Sequence, residues 1–308
     1  MTRVVVFIGL ACAVALLIVL HHPSASTGDL QRLVDAARPG DTIRIGPGTY
    51  AGGFHTVRSG TAARPIRIVG DGARVVPGEH GGGRLIEIRN DYVELSGFEV
   101  IGGTSGIRIE GGRHVRILHN VVRDALGECI RVTHRSSFNE VAYNTVRDCG
   151  RRNFNLIADR KNGEGIYVGT APEQGGPDRS DRNWIHDNTI TTPAECVDVK
   201  EFSTGTLVEH NTCGGGRDPD GAGLSGRGDH VTFRANTVIG GRGAGIRLGG
   251  DRRNQGVHAV VTGNRLESPR GYGVKVMRWP QDAICGNGLL DPGRGASNRP
   301  GSNPAAPC

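Results

Sequence analysis

Glu164-Gly165-Ile166-Tyr167-Val168 and, one repeat later, Glu195-Cys196-Val197-Asp198-Val199 decide the fold. Each phrase opens on a small or acidic residue, passes through Gly or Cys, and closes on aliphatic-x-aliphatic. Five more copies lie at 105–109, 128–132, 222–226, 244–248 and 272–276. Most neighbouring copies stand 22 to 28 residues apart, the length of one coil of a β-helix and too short for a helical repeat. Alternating aliphatic and polar residues give strands with one face turned inward. A second phrase, a short aliphatic strand closing on Asn, recurs at Asn120, Asn144, Asn188, Asn211, Asn236 and Asn264, with Gly97 in the same slot earlier. Asparagines stacked at successive turns pair into a hydrogen-bonded ladder, so their role is structural.

Composition agrees with this reading. Of 308 residues 50 are Gly, spread along the chain as tight turns require, while 5% aromatic content leaves little for a sandwich core. The expected fold is an all-β right-handed parallel β-helix over 27–277. A short amphipathic helix over 30–37 caps its open end, and 278–308 forms an irregular Gly/Pro-rich tail.

Arg3 followed by the apolar run 4–20 and by His21-His22-Pro23-Ser24-Ala25-Ser26 reads as a signal peptide spanning 1–26. An uncleaved anchor is the alternative, because the run nearly reaches the ~20 residues that span a bilayer. Cys12 sits too deep in that run for a lipoprotein site. Cleavage predicts a secreted, extracellular protein with no stable membrane span. The six remaining cysteines then read as disulfides, and no CxxC spacing argues for zinc. Cys129 and Cys196 share a slot two coils apart, about 10 Å at the usual strand spacing, too far for a direct bridge. Cys129 with Cys149 and Cys196 with Cys213 are preferred, other connectivities stay open, and Cys285 with Cys308 would tie down the tail. A net charge of +6 suits an acidic polymer, and export favours a polysaccharide over nucleic acid.

Aligned copies place side chains in columns. One column carries Glu128, Glu164 and Glu195 on successive coils, followed by Ala222 and Ala244. Carboxylates stacked so closely repel unless protonated or neutralised, and calcium binds such groups through oxygen, so Glu164, Glu195 and Asp198 are the candidate ligands. Lys200 lies two residues beyond Asp198 on the outward face, and Arg227 fills the equivalent slot one coil on. Glu195 and Lys200 would be about 16 Å apart in an extended strand, so a shared site requires a bend before Val197. Long insertions flank the coil of Glu164 and bring Arg151, Arg152, Arg160 and Lys161, candidate contacts for an anionic polymer that could equally be solvated loop cations. Arg247 is a further candidate contact. Tyr167 reads either as a platform for a sugar ring or as an exposed strand residue. His114, His134, His186 and His210 read as surface or turn residues.

The stretch 195–203, with Val208-Glu209-His210-Asn211 and Leu224-Ser225-Gly226-Arg227, resembles the active-site region of polysaccharide lyase family six, which contains chondroitinase B and alginate lyases. The opening coils at 41–50 and 62–66 are similar to that family's opening. Residues 194–200 also resemble the calcium-dependent strand of family nine pectate lyases. The likeness to family six implies that Glu195 helps hold calcium, that Lys200 removes the sugar C5 proton and that Arg227 assists. Here Lys200 is followed by Glu201 and Phe202, where family six has Asn-Lys-Ser.

The expected activity is calcium-assisted β-elimination in a uronate polysaccharide by a monomeric enzyme. Lys200 is the base, its pKa lowered by Arg227 and the metal, and Arg227 stabilises the developing charge. A non-catalytic carbohydrate-binding or cell-surface β-helix and a uronate C5 epimerase remain alternatives. The polygalacturonase signatures of a hydrolase are absent from the sequence.

Overall fold

The computed structural model describes residues 17–20, 27–79, 83–251 and 254–308. It is a parallel β-solenoid of about 10 turns. Three sheets of eleven, ten and nine strands run its length, and every strand pair in them is parallel. The expected leader lies outside the described residues except for Leu17–Leu20, whose backbone pairs in parallel with Thr42–Ile45. The helix forms over Thr27–Ala36 and turns Leu30 and Val34 into the open end of the core.

The nine-stranded sheet is built from the first phrase. Ile107, Ile130, Ile166, Val197, Leu224, Ile246 and Val274 stack in register, and all are fully buried. Each such side chain contributes roughly 1.5–3 kcal/mol of burial. The Gly-or-Cys slot has a steric cause. A Cβ on Gly165 would stand 2.4 Å from Ile190, and one on Gly223 would stand 2.4 Å from Val238, on the facing ten-stranded sheet. Between those coils the facing position is Cys213, in register with Ile190 and Val238, and there the slot is Cys196. Small against large is thus exchanged for sulfur against sulfur. The disulfides are Cys129–Cys149, Cys196–Cys213 and Cys285–Cys308, the preferred pairings. The first two fix the residues that follow Glu128 and Glu195.

The asparagine ladder is present and continuous. The Oδ1 of Asn188 accepts from both the backbone N and the Nδ2 of Asn144, each at 3.0 Å, and Asn188 repeats the pattern on Asn211. The row extends to Asn287. Gly97 is not in this column: the register pairs Leu118 with Ser96 and Val121 with Glu99, so Phe98 stands opposite Asn120 and donates its backbone N to it. The phenyl ring fits because Gly70 on the preceding coil lies against it, where a Cβ would meet the ring at 2.7 Å. The segment 278–308 is more regular than its composition suggests. Ala283–Cys285 and Gly288–Leu290 pair with the solenoid's sheets, and Asn287 continues the ladder between them.

Candidate functional site

Strand Val197–Val199 is only three residues long, and that brevity brings the acids and cations together. Val197 and Val199 point inward, so Asp198 stands on the outer face, and the chain turns on either side of it. The bend required before Val197 is therefore present, and Glu195 reaches the same patch. One carboxylate oxygen from each of Glu164, Glu195 and Asp198 lies within 4.8 Å of the others. Lys200 Nζ is 2.6 Å from Asp198 Oδ2 and 3.9 Å from Glu164 Oε1. Arg227 Nε is 3.5 Å from Asp198 Oδ1, and its Nη2 is 3.8 Å from Glu195 Oε1. Glu128 occupies its place in the column but pairs with Arg131 at 3.5 Å.

Burial makes this cluster electrostatically tense. Asp198 is fully buried, and Glu164, Glu195 and Lys200 are nearly so. Loss of water pushes the Glu164 carboxyl up to about 8, with Lys200 opposing and Glu195 reinforcing the rise. Burial and the neighbouring Asp198 raise Glu195 as well. Asp198 moves the other way: burial disfavours its charge, but Lys200 and Arg227 outweigh that and hold it below the usual carboxylate range. Set by the protein's own groups, Lys200 is raised rather than lowered; the expected lowering counted on a bound metal as well as Arg227. Burial, the largest influence, and Arg227 push it down, yet Asp198 at 2.6 Å together with Tyr167 and Glu164 holds the amine above its ordinary value. Burial is also the largest single influence on the Arg227 guanidinium, and Asp198, Glu195, Glu201 and Asp251 together outweigh it and hold it above its ordinary range.

The residues fit a hard cation. All three donors are carboxylates, and although Lys200 and Arg227 stand close, neither Asp198 oxygen receives a well-directed hydrogen bond. Buried oxygens left in this way are costly unless a further partner satisfies them.

The remaining candidates divide. Tyr167 is buried, with Lys200 Nζ 4.7 Å and the Arg131 guanidinium 4.8 Å from its ring centre, so it presents no free face to a sugar. Its hydroxyl accepts from the Ala171 backbone and anchors the loop beyond. The insertion after Cys149 folds into a hairpin, Phe154–Asn155 against Arg160–Lys161. Lys161 bridges from it to Asp218 at 3.1 Å, whereas Arg151, Arg152 and Arg160 remain exposed. Arg247 is buried in register with Asp198, two coils on, and pairs with Asp251 at 3.2 Å. His186 is buried between Glu140 and Asp187.

Two residues that hold the cations were not singled out from sequence. Asp251 gives one oxygen to Arg227 at 3.3 Å and the other to Arg247. Glu201 is buried behind it and accepts from the Asp251 backbone at 3.0 Å. The break from the family pattern at Glu201 was the available signal.

No family model and no curated protein matches the sequence. Among solved structures, an alginate lyase from Paenibacillus sp. str. FPU-7 superposes with a TM-score of 0.78 at 26% identity, covering 90% of this chain and 97% of that one. The pectate lyase Pel9A gives a TM-score of 0.61 at 14% identity, over 82% of this chain and 70% of its own. A double mutant of the periplasmic alginate epimerase AlgG gives 0.52 at 14%, over 92% and 84%. The chain is thus a parallel β-solenoid of the kind found in alginate and pectate lyases.

Proposed function

We propose that this protein is a secreted lyase that cleaves a uronate-containing polysaccharide by calcium-assisted β-elimination. The observation that carries the reading is the meeting of one amine, one guanidinium and three carboxylates on the outer face of adjacent coils, in a fold shared with an alginate lyase over nearly its whole length. Glu164, Glu195 and Asp198 would hold the calcium, which when bound supplies positive charge against both the acid cluster and the substrate carboxylate.

Lys200 as the amine takes the C5 proton onto Nζ. Asp198 favours the ammonium, so the base is the neutral fraction of Lys200, which would grow if a cation held by the acids drew Asp198 away from Nζ. Arg227 is too basic to exchange protons and instead faces the enolate-like charge left on the sugar. Collapse of that charge forms the C4–C5 double bond and breaks the bond from C4 to the glycosidic oxygen, which takes the proton back from the Lys200 ammonium and restores the amine. The disulfides and the absence, among the described residues, of a helix long and apolar enough to cross a membrane are compatible with export.

The test is a panel of alginate, pectate, chondroitin and heparin-like polymers, with calcium or with chelator, read by the ultraviolet absorbance of the new double bond. Turnover of a uronate polymer is expected with calcium, and Lys200→Ala should reduce it by about 10²–10⁴-fold while polymer still binds. A wild-type protein that binds polymer and never generates the absorbance overturns the lyase reading. Altered C5 configuration without the absorbance identifies an epimerase, which shares the proton-abstraction step.

A further inference from the structure

Two to three coils toward the N-terminus from Asp198, the same outward column changes character. Register places Arg108, Arg131, Tyr167 and Asp198 on consecutive strands. At the ~4.8 Å spacing of neighbouring strands, the two arginines stand about 10–14 Å from Asp198 along the solenoid axis. They line a cavity of about 610 Å³ together with His134, Arg135 and Gln174, under the loop that follows Tyr167.

The acids at this cavity do not cancel its charge. Among the described residues Asp178 is the one carboxylate in its wall, and it is consumed by five hydrogen bonds, from the Thr133, Thr170 and Ser180 hydroxyls and the His134 and Arg135 backbone. Glu110 is shared between Arg84 and Arg108, and Glu128 meets Arg131 only at 3.5 Å. The Nε of Arg108 and that of Arg131 are buried and have no hydrogen-bond partner among the described residues. Arg131 otherwise donates to Gln174 of the overlying loop at 3.1 Å. Burial holds the Arg108 guanidinium below its ordinary range, and Glu110 only partly offsets it. On the far side of Asp198 the column returns to cations at Arg247 and Lys275.

We propose that the Arg108–Arg131–Arg135 cavity is a distal subsite for a carboxylate of the polymer, so that the uronate chain lies parallel to the solenoid axis and is gripped some two or three sugars away from Lys200. The inference rests on the uronate reading of the site and names where the rest of the chain is held. Guanidinium forks suit carboxylates, and a chain laid along the column meets cations on either side of the acid cluster.

The experiment is calorimetric titration of the full-length chain with oligomannuronates and oligogalacturonates of graded length, from disaccharide to hexamer, in wild type, Arg131→Gln and Arg135→Glu. Arg135 is exposed at the cavity, so its charge reversal leaves the fold intact even if the Arg131 variant does not fold. Wild-type affinity should climb with length once the chain reaches the cavity. Each variant should lose about tenfold for the longest oligomer and nothing for the disaccharide. An equal loss at every length, no loss at any length, or inorganic phosphate competing as well as the hexamer would overturn the subsite. Length-dependent binding without eliminated product would remove the lyase reading and leave the subsite standing. A wild type that binds no oligomer of any length overturns both.

Discussion

The asparagine ladder and the acid column at Glu128, Glu164 and Glu195 both stack polar side chains on consecutive coils, and both are buried. An amide carries donor and acceptor together, so each Asn satisfies its neighbour and the row needs nothing from outside itself. A carboxylate carries only acceptors. Its column is self-repelling, depends on Lys200 and Arg227 from the next slots, and still leaves the Asp198 oxygens without directed donors. The same repeat geometry thus yields a structural device where the stacked group is self-complementary and a reactive one where it is not.

Breaking the ladder should cost most. Asn188→Leu strands the backbone and side-chain donors of Asn144, at ~1–3 kcal/mol each, so a loss of about 4 kcal/mol in urea unfolding is expected, unchanged by calcium. A variant as stable as wild type would show that the ladder is not what holds the coils. The acid column should behave in the opposite way. With calcium at about a hundredfold above its dissociation constant, linkage predicts about 2.7 kcal/mol of stabilisation, read as a rise in thermal midpoint over the chelated protein. Glu164→Gln should abolish that rise and leave the chelated protein no less stable, since a buried carboxyl raised to about 8 contributes nothing favourable at neutral pH. Equal destabilisation of Glu164→Gln and Asn188→Leu would erase the distinction.

The contrast also explains what could be read without coordinates. Register follows from spacing, so the column of Glu128, Glu164 and Glu195, the slot shared by Lys200 and Arg227, and the cysteine pairing were all legible. Inward positions were legible too, because the aliphatic alternation marks them. Burial on the outer face was not, since it depends on segments distant in sequence. Tyr167 is covered because Arg131, Lys200 and the loop at Ala171 close around it. The raised pKa of Lys200 depends on a 2.6 Å contact that spacing alone cannot supply. Gly97 was misplaced by one residue because Phe98 breaks the Asn pattern where Gly70 gives a ring room. The last coil was hidden by composition: Gly and Pro crowd 278–308, yet Asn287 and two short strands carry the repeat onward.

Asp178 tests the comparison from a third direction, as a lone acid satisfied by neutral donors. Burial opposes its charge, but the Arg135 and His134 backbone and the Thr133 and Thr170 hydroxyls hold it below the usual carboxylate range. A depressed folded pKa means stability that is present above the unfolded value and lost as pH falls through the folded one. Asp178→Ala should therefore cost about 2 kcal/mol at neutral pH, by stranding those donors. The gap from wild type should narrow in urea titrations carried below the carboxylate range. A gap of constant size from neutral pH down to strong acid would assign the loss to packing.

The smallest effect belongs to the hairpin cations, which are solvated where the cluster is buried. Arg151 stands 3.6 Å from Asp124 with most of its side chain in water, and Arg152 is exposed. Exposed pairs of this kind contribute little, so Arg151→Ala and Arg152→Ala should shift stability by no more than about 0.5 kcal/mol. Any help they give an anionic polymer acts through solvent and fades as the screening length shrinks from ~10 Å at 0.1 M salt to ~3 Å at 1 M. Wild type and these variants should therefore differ modestly in polymer affinity at low salt and converge at high salt. The buried Lys200 and the partly buried Arg227 are screened much less. A tenfold loss on replacing Arg151 that survives about 1 M salt would mean that the hairpin closes over the bound chain and takes Arg151 out of water with it.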